Sequence, residues 1–379
     1  MSNACTSPRV RDVSENELAP QGAASVPGPG GRGRRPADVR RRGHGTRTAL
    51  IVLGALVVVV CAGGLAAVVL FRQGLDRNIE KLADPFEGVQ DRPAAAPSDP
   101  AASDEAVNIL VLGSDSRISG GDPAQWEAGA QRTDAIMLVH LPADRETAQV
   151  VSIPRDSWVD VPGHGEAKIN AAFSYGGPSL MIATVEQLTG VRVDHFMLTD
   201  FTSFTALTDA LGGVQIRVPE DIGDGKDVQF AAGVHVMSGE QALAYTRQRH
   251  GLQDGDFGRA QRQQNWMRSM IAKVNNNRND VPTMTSFFTA VSKSVAVDEG
   301  LTMDRMQDLY LSARGLATND VTFLTAPHLG TATLPDGQSV VLLDRSLLDP
   351  LMASIATDSA ARFVEENEGA LIVLPPTVK

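Results

Sequence analysis

Short, mainly apolar runs alternate with longer amphipathic segments from residue 107 onward. The runs are bounded by glycine or polar residues, as in strands buried on both faces. They are residues 107–112, 135–141, 149–153, 214–218, 234–237 and 321–325. The segments with helical spacing are residues 178–188, 201–211, 261–274 and 303–314. This alternation favours an α/β domain, with helices on both faces of one sheet.

A different pattern precedes this domain. Residues 49–71 form a stretch of about 23 residues without a charged side chain, bounded by Arg47 and Arg72. At about 1.5 Å per residue, a helix of this length crosses a hydrocarbon core of about 30 Å. The arginines before it predict a cytoplasmic N-terminus and an extracytoplasmic C-terminal part. A cleaved signal peptide is the alternative, but no polar, small-residue cleavage region follows. We therefore expect a retained signal anchor in the cell membrane.

Composition divides the chain into five regions. Residues 1–48 are rich in Gly, Pro, Ser and Arg and are predicted to be a disordered basic tail. Residues 72–104 end in a Pro/Ala-rich sequence and are predicted to be a stalk. Residues 105–360 are predicted to form a single domain, followed by a C-terminal tail at 361–379. The tail at 1–48 carries nine arginines against four acidic residues, so the chain charge of −11 leaves about −16 for residues 72–379.

The most unusual polar stretch of this acidic domain is basic and spans residues 244–264. Its cationic side chains are Arg247, Arg249, Arg259 and Arg262, and His250 is a possible further cation. Clustered like charges cost free energy unless an anion neutralises them, and a guanidinium group meets two phosphate oxygens at once. Arg247 and Arg249 share a face only if that piece is extended, whereas Arg259 and Arg262 share one if theirs is helical. The stretch predicts an anion site, with a solvated basic surface as the alternative.

Carboxylates flank the first two predicted strands. Asp115 and Arg117 follow the first strand, and Asp134 immediately precedes the second. Ligands of α/β sheets bind beyond the carboxyl ends of strands, and Mg²⁺ takes one or two carboxylates together with phosphate oxygens. Asp115 and Asp134 are thus candidate metal ligands, and Asp122 in the intervening loop is a rival. The alternative for Asp134 is a turn residue paired with a nearby arginine.

A second polar group follows the third strand. Pro154 cannot extend the ladder of strand hydrogen bonds, so Arg155 and Asp156 leave the sheet there. Lys168 follows a Gly-rich turn and suits a phosphate oxygen as a point charge, although an ordinary surface lysine has the same appearance.

Several function classes lack support. The sequence has no G-x-S-x-G, no P-loop and no H-E-x-x-H motif, and its histidines lack metal-ligand spacing. The two cysteines, Cys5 and Cys61, leave residues 72–379 without a disulfide or a thiol nucleophile. Net acidity and the expected topology argue against a nucleic-acid partner.

Taken together, the motifs resemble the LytR-CpsA-Psr family of cell-envelope phosphotransferases. The matching pieces are N-I-L-V-L-G-S-D-S-R at 108–117, R-T-D at 132–134, S-I-P-R-D-S-W-V at 152–159, K-I-N-A-A-F-S-Y-G-G at 168–177, L-T-G at 188–190, D-A-L-G-G-V at 209–214, G-E-Q-A-L at 239–243 and the arginine block at 247–264. Each piece is weak alone, but the ordered set is specific. The loop at 116–132 departs from the pattern because it is longer.

The resemblance implies an α/β domain with a central mixed sheet. It implies transfer of a glycan from a polyprenyl-pyrophosphate carrier to a peptidoglycan hydroxyl as a phosphodiester, with the lipid tail in an apolar pocket. By position, Asp115 and Asp134 look like ligands of Mg²⁺ (or Mn²⁺), and Arg155, Arg247, Arg249 and Arg259 look like the pyrophosphate clamp. Gln263 looks like a further contact to the pyrophosphate. The motifs that match the family also contain Arg117, Lys168, Asp256 and Arg262.

Three points stay open from the sequence. Either Asp134 or Asp156 takes the acceptor proton. Water rather than a wall hydroxyl is a second possible acceptor, which would make the protein a pyrophosphatase. The third open point is whether the protein is a non-catalytic envelope sensor, but the clustered candidate metal ligands favour an enzyme.

Overall fold

The computed structural model has an eight-stranded sheet at its centre, in the order β1-β12-β7-β2-β3-β4-β13-β16. The structure describes residues 70, 72–97, 104–114, 133–223, 228–248, 255–376 and 378, without the side chains of residues 201–202 and 255–256. All of them belong to one compact unit, residues 62–379. The strands are β1 (Glu80–Lys81), β2 (Val107–Ser114), β3 (Thr133–Leu141), β4 (Ala148–Ser152), β5 (Trp158–Val161), β6 (Gly165–Lys168), β7 (His195–Asp200), β8 (Val214–Val218), β9 (Ile222–Gly223), β10 (Val228–Phe230), β11 (Gly233–Met237), β12 (Val295–Val297), β13 (Val321–Thr325), β14 (His328–Thr333), β15 (Ser339–Leu343) and β16 (Ile372–Val373).

Helices cover this sheet. They are α1 (Ile169–Thr189), α2 (Phe201–Ala210), α3 (Gly239–Arg247), α4 (Gly255–Asn277), α5 (Val281–Ser294), α6 (Met303–Ala313), α7 (Arg345–Ala356) and α8 (Ala360–Glu366), with a 3₁₀ turn at Thr318–Asp320. Residues 72–78 are also helical.

The sheet is mixed, as the resemblance implied. β2 pairs in parallel with β7 and antiparallel with β3. β4 runs antiparallel to β3 and parallel to β13. The carboxyl ends of β2, β4, β7 and β13 and the start of β3 therefore meet at one edge of the sheet. This edge is where the polar residues predicted from the sequence emerge.

Alternate residues of the central strands pack on opposite faces, which confirms the prediction of helices on both sides. Leu110 and Leu138 belong to a core cluster that includes Phe173 and Ile182 of α1 and residues of α7 and α8. Their sequence neighbours Val111 and Val139 pack with Met267 and Ile271 of α4 on the other face. Burial of each such side chain contributes roughly 1.5–3 kcal/mol. Each uninterrupted apolar run thus contributes side chains to two hydrophobic cores, one on each face of the sheet.

Several predicted elements match the structure within a few residues, and one central strand was not predicted. β8 and β13 have the predicted bounds, and α4 begins six residues before the predicted start. β7 joins the middle of the sheet between β2 and β12. Its sequence, HFMLTD, buries only two of six side chains, Phe196 and Leu198, so its apolar signal is short. The predicted strands at 214–218 and 234–237 pair with each other instead of entering the main sheet.

The predicted boundaries at 105 and 360 are too narrow. Within the predicted stalk, Leu75, Ile79 and Leu82 are buried, and β1 pairs with β12. Arg92 donates to Glu186, whose side chain is 3% exposed, at 2.7 Å. Within the predicted tail, β16 pairs with β13. These segments contribute apolar side chains to the core because the sheet extends over both, so they are parts of the domain.

The predicted basic tail at 1–48 and the apolar segment at 49–71 lie outside the described residues, apart from residue 70. Among the helices that are described, none combines the length and the apolar character that crossing a bilayer requires.

Replacing Leu82 with alanine tests whether the segment before residue 105 belongs to the core. Leu82 is 3% exposed, so we expect the free energy of unfolding to fall by about 2–5 kcal/mol. Denaturant unfolding followed by tryptophan fluorescence measures this loss. Leu329→Ala, at a position that is 72% exposed, is the matched control and should change the free energy by less than about 0.5 kcal/mol. Equal, small effects of both changes would show that the segment is a spacer.

Candidate functional site

Asp134 lies at the centre of the polar residues along this sheet edge. Asp134 is the second residue of β3. Its Oδ1 accepts a hydrogen bond from Arg155 Nη1 at 2.5 Å. Its Oδ2 accepts a hydrogen bond from Arg259 Nη2. Arg155 follows the end of β4, and Arg259 lies near the start of α4. One carboxylate thus joins two strands and a helix.

The pKa of Asp134 lies below its usual value. Burial by itself would raise this pKa, but the hydrogen bonds and positive charges of Arg259 and Arg155 outweigh the burial. The carboxylate is therefore ionised at neutral pH, and the two guanidinium groups retain one excess positive charge between them.

Arg259 is buried, and two of its donor atoms have no partner among the described residues. It is 4% exposed, and its Nε and Nη1 atoms are buried with no hydrogen-bond partner among the described residues. Leaving a buried donor unpaired costs about 1–3 kcal/mol, and more for a charged group. A helix that holds such a guanidinium group inward is best explained by a ligand that accepts from it.

Asp156 extends the cluster toward α1. Its Oδ1 is 3.0 Å from Lys168 Nζ, and its Oδ2 is 3.7 Å from Arg155 Nε. Val341 of β15 donates its backbone N–H to the carbonyl of Asp156 at 2.8 Å, which fixes this part of the chain. Lys168 ends β6 and precedes the first residue of α1. We call Asp134, Arg155, Asp156, Lys168 and Arg259 the arginine cluster; its formal charge is +1.

Two cavities meet at this cluster. The first, with an empty volume of ≈ 440 Å³, is lined by Arg155, Asp156 and Arg259. The second, with an empty volume of ≈ 600 Å³, is lined mainly by apolar side chains of β2, β3, α2 and α4. Asp134 and Gln263 line both cavities. The site thus places a charged cleft directly beside an apolar cavity.

Aromatic side chains form one wall of the apolar cavity. Phe204 and Trp266 stack with ring centroids 3.9 Å apart, and Trp266 Nε1 donates to Thr208 Oγ1 at 3.0 Å. Trp266 and Met267, which the sequence analysis missed, also line this cavity. A signal was present, because Gln263, Trp266 and Met267 lie at i, i+3 and i+4 on one helix.

A stacked pair flanks the charged cleft and was also missed. Phe257, a lining residue, stacks on His328 with ring centroids 4.1 Å apart. Burial lowers the pKa of His328 below its ordinary value, so this ring is uncharged at neutral pH.

Two predicted arginines lie elsewhere. Arg262 is 1% exposed and donates from Nη2 to the carbonyl of Gln248 at 2.5 Å, and it is not among the residues that line either cavity. Its position fixes the chain just after α3. Arg247 is the last residue of α3 and is exposed. Arg247 therefore does not meet the condition of an extended chain, because a capping box at Ser238 and Gln241 starts a helix that continues through it.

Asp115, Arg117 and Arg249, and the side chain of Asp256, lie outside the described residues. The flanking strands nevertheless bring the two ends of the loop together, since Ser114 pairs with Thr133. Among the residues that are described, no group of three His, Cys, Asp or Glu side chains is arranged to hold a metal ion. Asp134 is ionised, as a magnesium ligand must be, but arginines hold both of its oxygens. Of the two metal ligands expected from the sequence, Asp134 alone lies among the described residues.

Comparisons with known proteins agree with this architecture. Residues 79–355 match the model of the LytR_cpsA_psr family. The cell wall biosynthesis protein LcpA of Corynebacterium glutamicum is 31% identical over 283 residues, which are 64% of this chain and 54% of LcpA. This chain thus spans about half the length of that relative.

Two further relatives carry names that state an activity or a bound molecule. TagU of Bacillus mycoides, a polyisoprenyl-teichoic acid–peptidoglycan teichoic acid transferase, is 29% identical over 71% of this chain and 84% of its own. The crystal structure of TagT from B. subtilis has a TM-score of 0.54 and 26% identity, covering 73% of this chain and 98% of that chain. TagT has also been solved bound to LI-WTA, with a TM-score of 0.55.

Replacing Asp134 with asparagine tests its electrostatic role. The two guanidinium groups lose their counter-charge, so we expect the free energy of unfolding at neutral pH to fall by about 3–5 kcal/mol. The folded-state pKa of Asp134 is lowered, so its stabilisation is present above the unfolded value of 3.8 and is lost as the pH falls through the lower folded value. The variant should therefore show a shallower loss of stability in acid, measured by denaturant unfolding between about pH 2 and 7.

Asp308→Asn, at an exposed position, is the control for this change. Added inorganic pyrophosphate should restore stability to Asp134→Asn more than to the unchanged chain, because an anion replaces the missing charge. A variant as stable as the control at every pH would exclude this role of Asp134.

Proposed function

The chain belongs to the LytR_cpsA_psr family, and on that premise we propose that it transfers a glycopolymer from a polyprenyl-pyrophosphate carrier to a peptidoglycan hydroxyl as a phosphodiester. One observation carries the proposal: Arg155 and Arg259 converge on Asp134 at the boundary between a charged cleft and an apolar cavity. A lipid pyrophosphate has a charged head group joined to an apolar tail, so it needs a charged cleft and an apolar cavity side by side. The name of TagU, a polyisoprenyl-teichoic acid–peptidoglycan teichoic acid transferase, and the LI-WTA bound to TagT support this proposal.

The charged cleft would hold the pyrophosphate. Arg155 and Arg259 each present donors near the bond to be broken, and the unpaired Nε and Nη1 of Arg259 would donate to phosphate oxygens. The apolar cavity would take the start of the lipid, beside Phe204 and Trp266. Gln263, which lines both cavities, would contact the phosphate nearest the lipid.

The reaction forms one phosphorus–oxygen bond and breaks another. The acceptor oxygen forms a bond to the phosphorus that bears the glycan, and the bond from that phosphorus to the bridging oxygen breaks. Its electrons leave with the polyprenyl phosphate, where negative charge grows. Preorganised guanidinium groups stabilise this charge in a site that is already assembled.

The acceptor proton needs a base, and the geometry favours Asp156 over Asp134. The lowered pKa of Asp134 makes it a weak proton acceptor. Asp156 lies in the same cleft, and its side chain is 22% exposed. We therefore assign proton removal to Asp156.

Magnesium, or manganese in its place, is part of the proposal. Asp134 together with Asp115 would hold the ion, which when bound would neutralise charge on the pyrophosphate oxygens. We also propose that residues 49–71 anchor the chain in the cell membrane, with the N-terminus in the cytoplasm and the catalytic domain outside. This topology would place the site on the side where wall acceptors are found.

Arg155→Ala and Arg259→Ala should each lower the transfer rate by about 10²–10³-fold, since each removes donors that stabilise the developing charge. The lysine variants should recover little, because an ammonium group cannot replace a bidentate fork. The assay incubates the full-length protein with lipid-linked donor and peptidoglycan fragments, and mass spectrometry identifies the products.

Arg362→Ala is the control, because this arginine is 78% exposed on α8. Full transfer by both cluster variants would refute the clamp. Release of polyprenyl phosphate without attachment to the wall fragments would identify a pyrophosphatase, and retained donor with no product would identify a sensor.

Asp115→Asn should weaken Mn²⁺ binding by the substrate-free protein, measured by the paramagnetic signal of free Mn²⁺. Loss of one carboxylate ligand of the two should reduce affinity at least about ten-fold. Asp122→Asn, in the same loop, should leave the affinity unchanged. The opposite pattern would assign the ion to Asp122.

A further inference from the structure

A second large groove lies away from the arginine cluster, between the two-stranded ribbon β8–β11 and one flank of α4. It has an empty volume of ≈ 1240 Å³. On the ribbon, Arg217 pairs across the strands with Val234, and Gln215 pairs with Val236. These four side chains line the groove, while alternate residues of β8, such as Ile216, are buried in a core cluster with Met270 of α4. The ribbon is therefore fixed to α4 by its apolar face and presents its other face to the groove.

The charge of this groove is opposite to that of the domain. Its lining side chains include Arg217, Arg268 and Lys273 and no carboxylate, although residues 72–379 carry about −16. Arg268 donates to the carbonyls of Pro375 and Pro376, which holds the C-terminal segment beside the groove. Within the described part of the chain, Arg217 and Lys273 have no carboxylate partner. Two cations without partners on an acidic protein favour an anionic ligand.

The remaining polar lining consists of amides and hydroxyls. Gln215 and Asn276 are exposed, and Ser269 and Thr318 lie beside them. Primary amides both donate and accept hydrogen bonds, as sugar hydroxyls do. The lining residues include no aromatic side chain. Base stacking on single-stranded nucleic acids depends on aromatic residues, so this class of ligand does not fit the groove. The hot spots of protein interfaces are enriched in Trp and Tyr, which the lining lacks, as well as in Arg.

We propose that this groove binds an acidic glycan chain. Arg217 and Lys273 would pair with its anionic groups, the amides would bond to its hydroxyls, and Val234 and Val236 would pack against the C–H faces of its sugars. The groove uses the flank of α4 at Ser269 and Asn276, away from the face of Gln263, Trp266 and Met267. It is thus separate from the site of transfer, and the inference goes beyond the proposed reaction.

A groove of this kind would raise the local concentration of a polymer substrate near the charged cleft. A chain held on the back of α4 stays near the cleft on its other face, so its effective concentration there rises without a new contact at the reacting atoms. Binding in the groove would therefore act on the affinity for long chains and leave the reaction of short fragments unchanged.

The test compares binding of fluorescent oligogalacturonate, which carries carboxylates, with a neutral malto-oligosaccharide of equal length, using the full-length protein in nanodiscs. The groove variant is Arg217→Gln/Lys273→Gln. The control is Arg314→Gln/Arg362→Gln, which removes the same charge at two exposed positions. A cluster variant, Arg259→Gln, reports binding at the transfer site.

We expect the unchanged chain to bind the acidic oligosaccharide more tightly than the neutral one. The groove variant should bind it roughly ten-fold more weakly, with a smaller salt dependence, because two ion pairs with the ligand are lost. The control and the cluster variant should keep the affinity. Equal binding by the groove variant, no preference for the acidic chain, or a loss confined to Arg259→Gln would overturn the proposal. This experiment measures binding and not transfer. A negative binding result would therefore leave the proposed transfer reaction untouched, and a negative transfer assay would leave the proposed glycan groove untouched.

Discussion

The ion pair that Asp134 makes with Arg155 and Arg259 is the interaction on which the site depends. It connects the start of β3, the chain after β4 and the first turns of α4. Each guanidinium group would repel the other without the carboxylate between them. A buried pair of this kind contributes little net stability on its own, but losing one partner is costly. The carboxylate thus sets the spacing of two cations that both line the charged cleft.

The topology of the sheet explains why these residues meet. β3 runs antiparallel to both β2 and β4, so the loop after β2, the start of β3 and the turn after β4 share one edge. α4 crosses that edge with Met267 and Ile271 in the core beneath and Arg259 at its outer end. The helix is anchored by apolar burial, and its buried guanidinium group is held in place by the same packing. Stability of the core and geometry of the cleft are therefore linked through one helix.

The two cavities differ in the property that each contributes. The charged cleft contains the buried Nε and Nη1 donors of Arg259, which have no partner among the described residues, and the apolar cavity offers aromatic and aliphatic surface from Phe204, Trp266 and Met267. α4 serves both, with Arg259 toward one and Trp266 toward the other. Its remaining flank faces the basic groove at Arg217 and Lys273. A single helix of 23 residues thus contributes to three surfaces of different chemistry.

Much of this protein follows from local sequence. Apolar runs such as residues 107–112 specify buried strands, and the arginines within 247–262 indicate an anion site, because these signals depend on side-chain type and spacing alone. The tertiary structure decided which of them converge: Arg155 and Arg259 reach Asp134, whereas Arg262, three residues further along α4, supports the backbone at Gln248. It also recruited β1 and β16 from segments whose composition favoured a stalk and a tail. Pairing partners and the direction of a long side chain depend on contacts between residues far apart in the chain, and these contacts leave no periodic signal in the sequence.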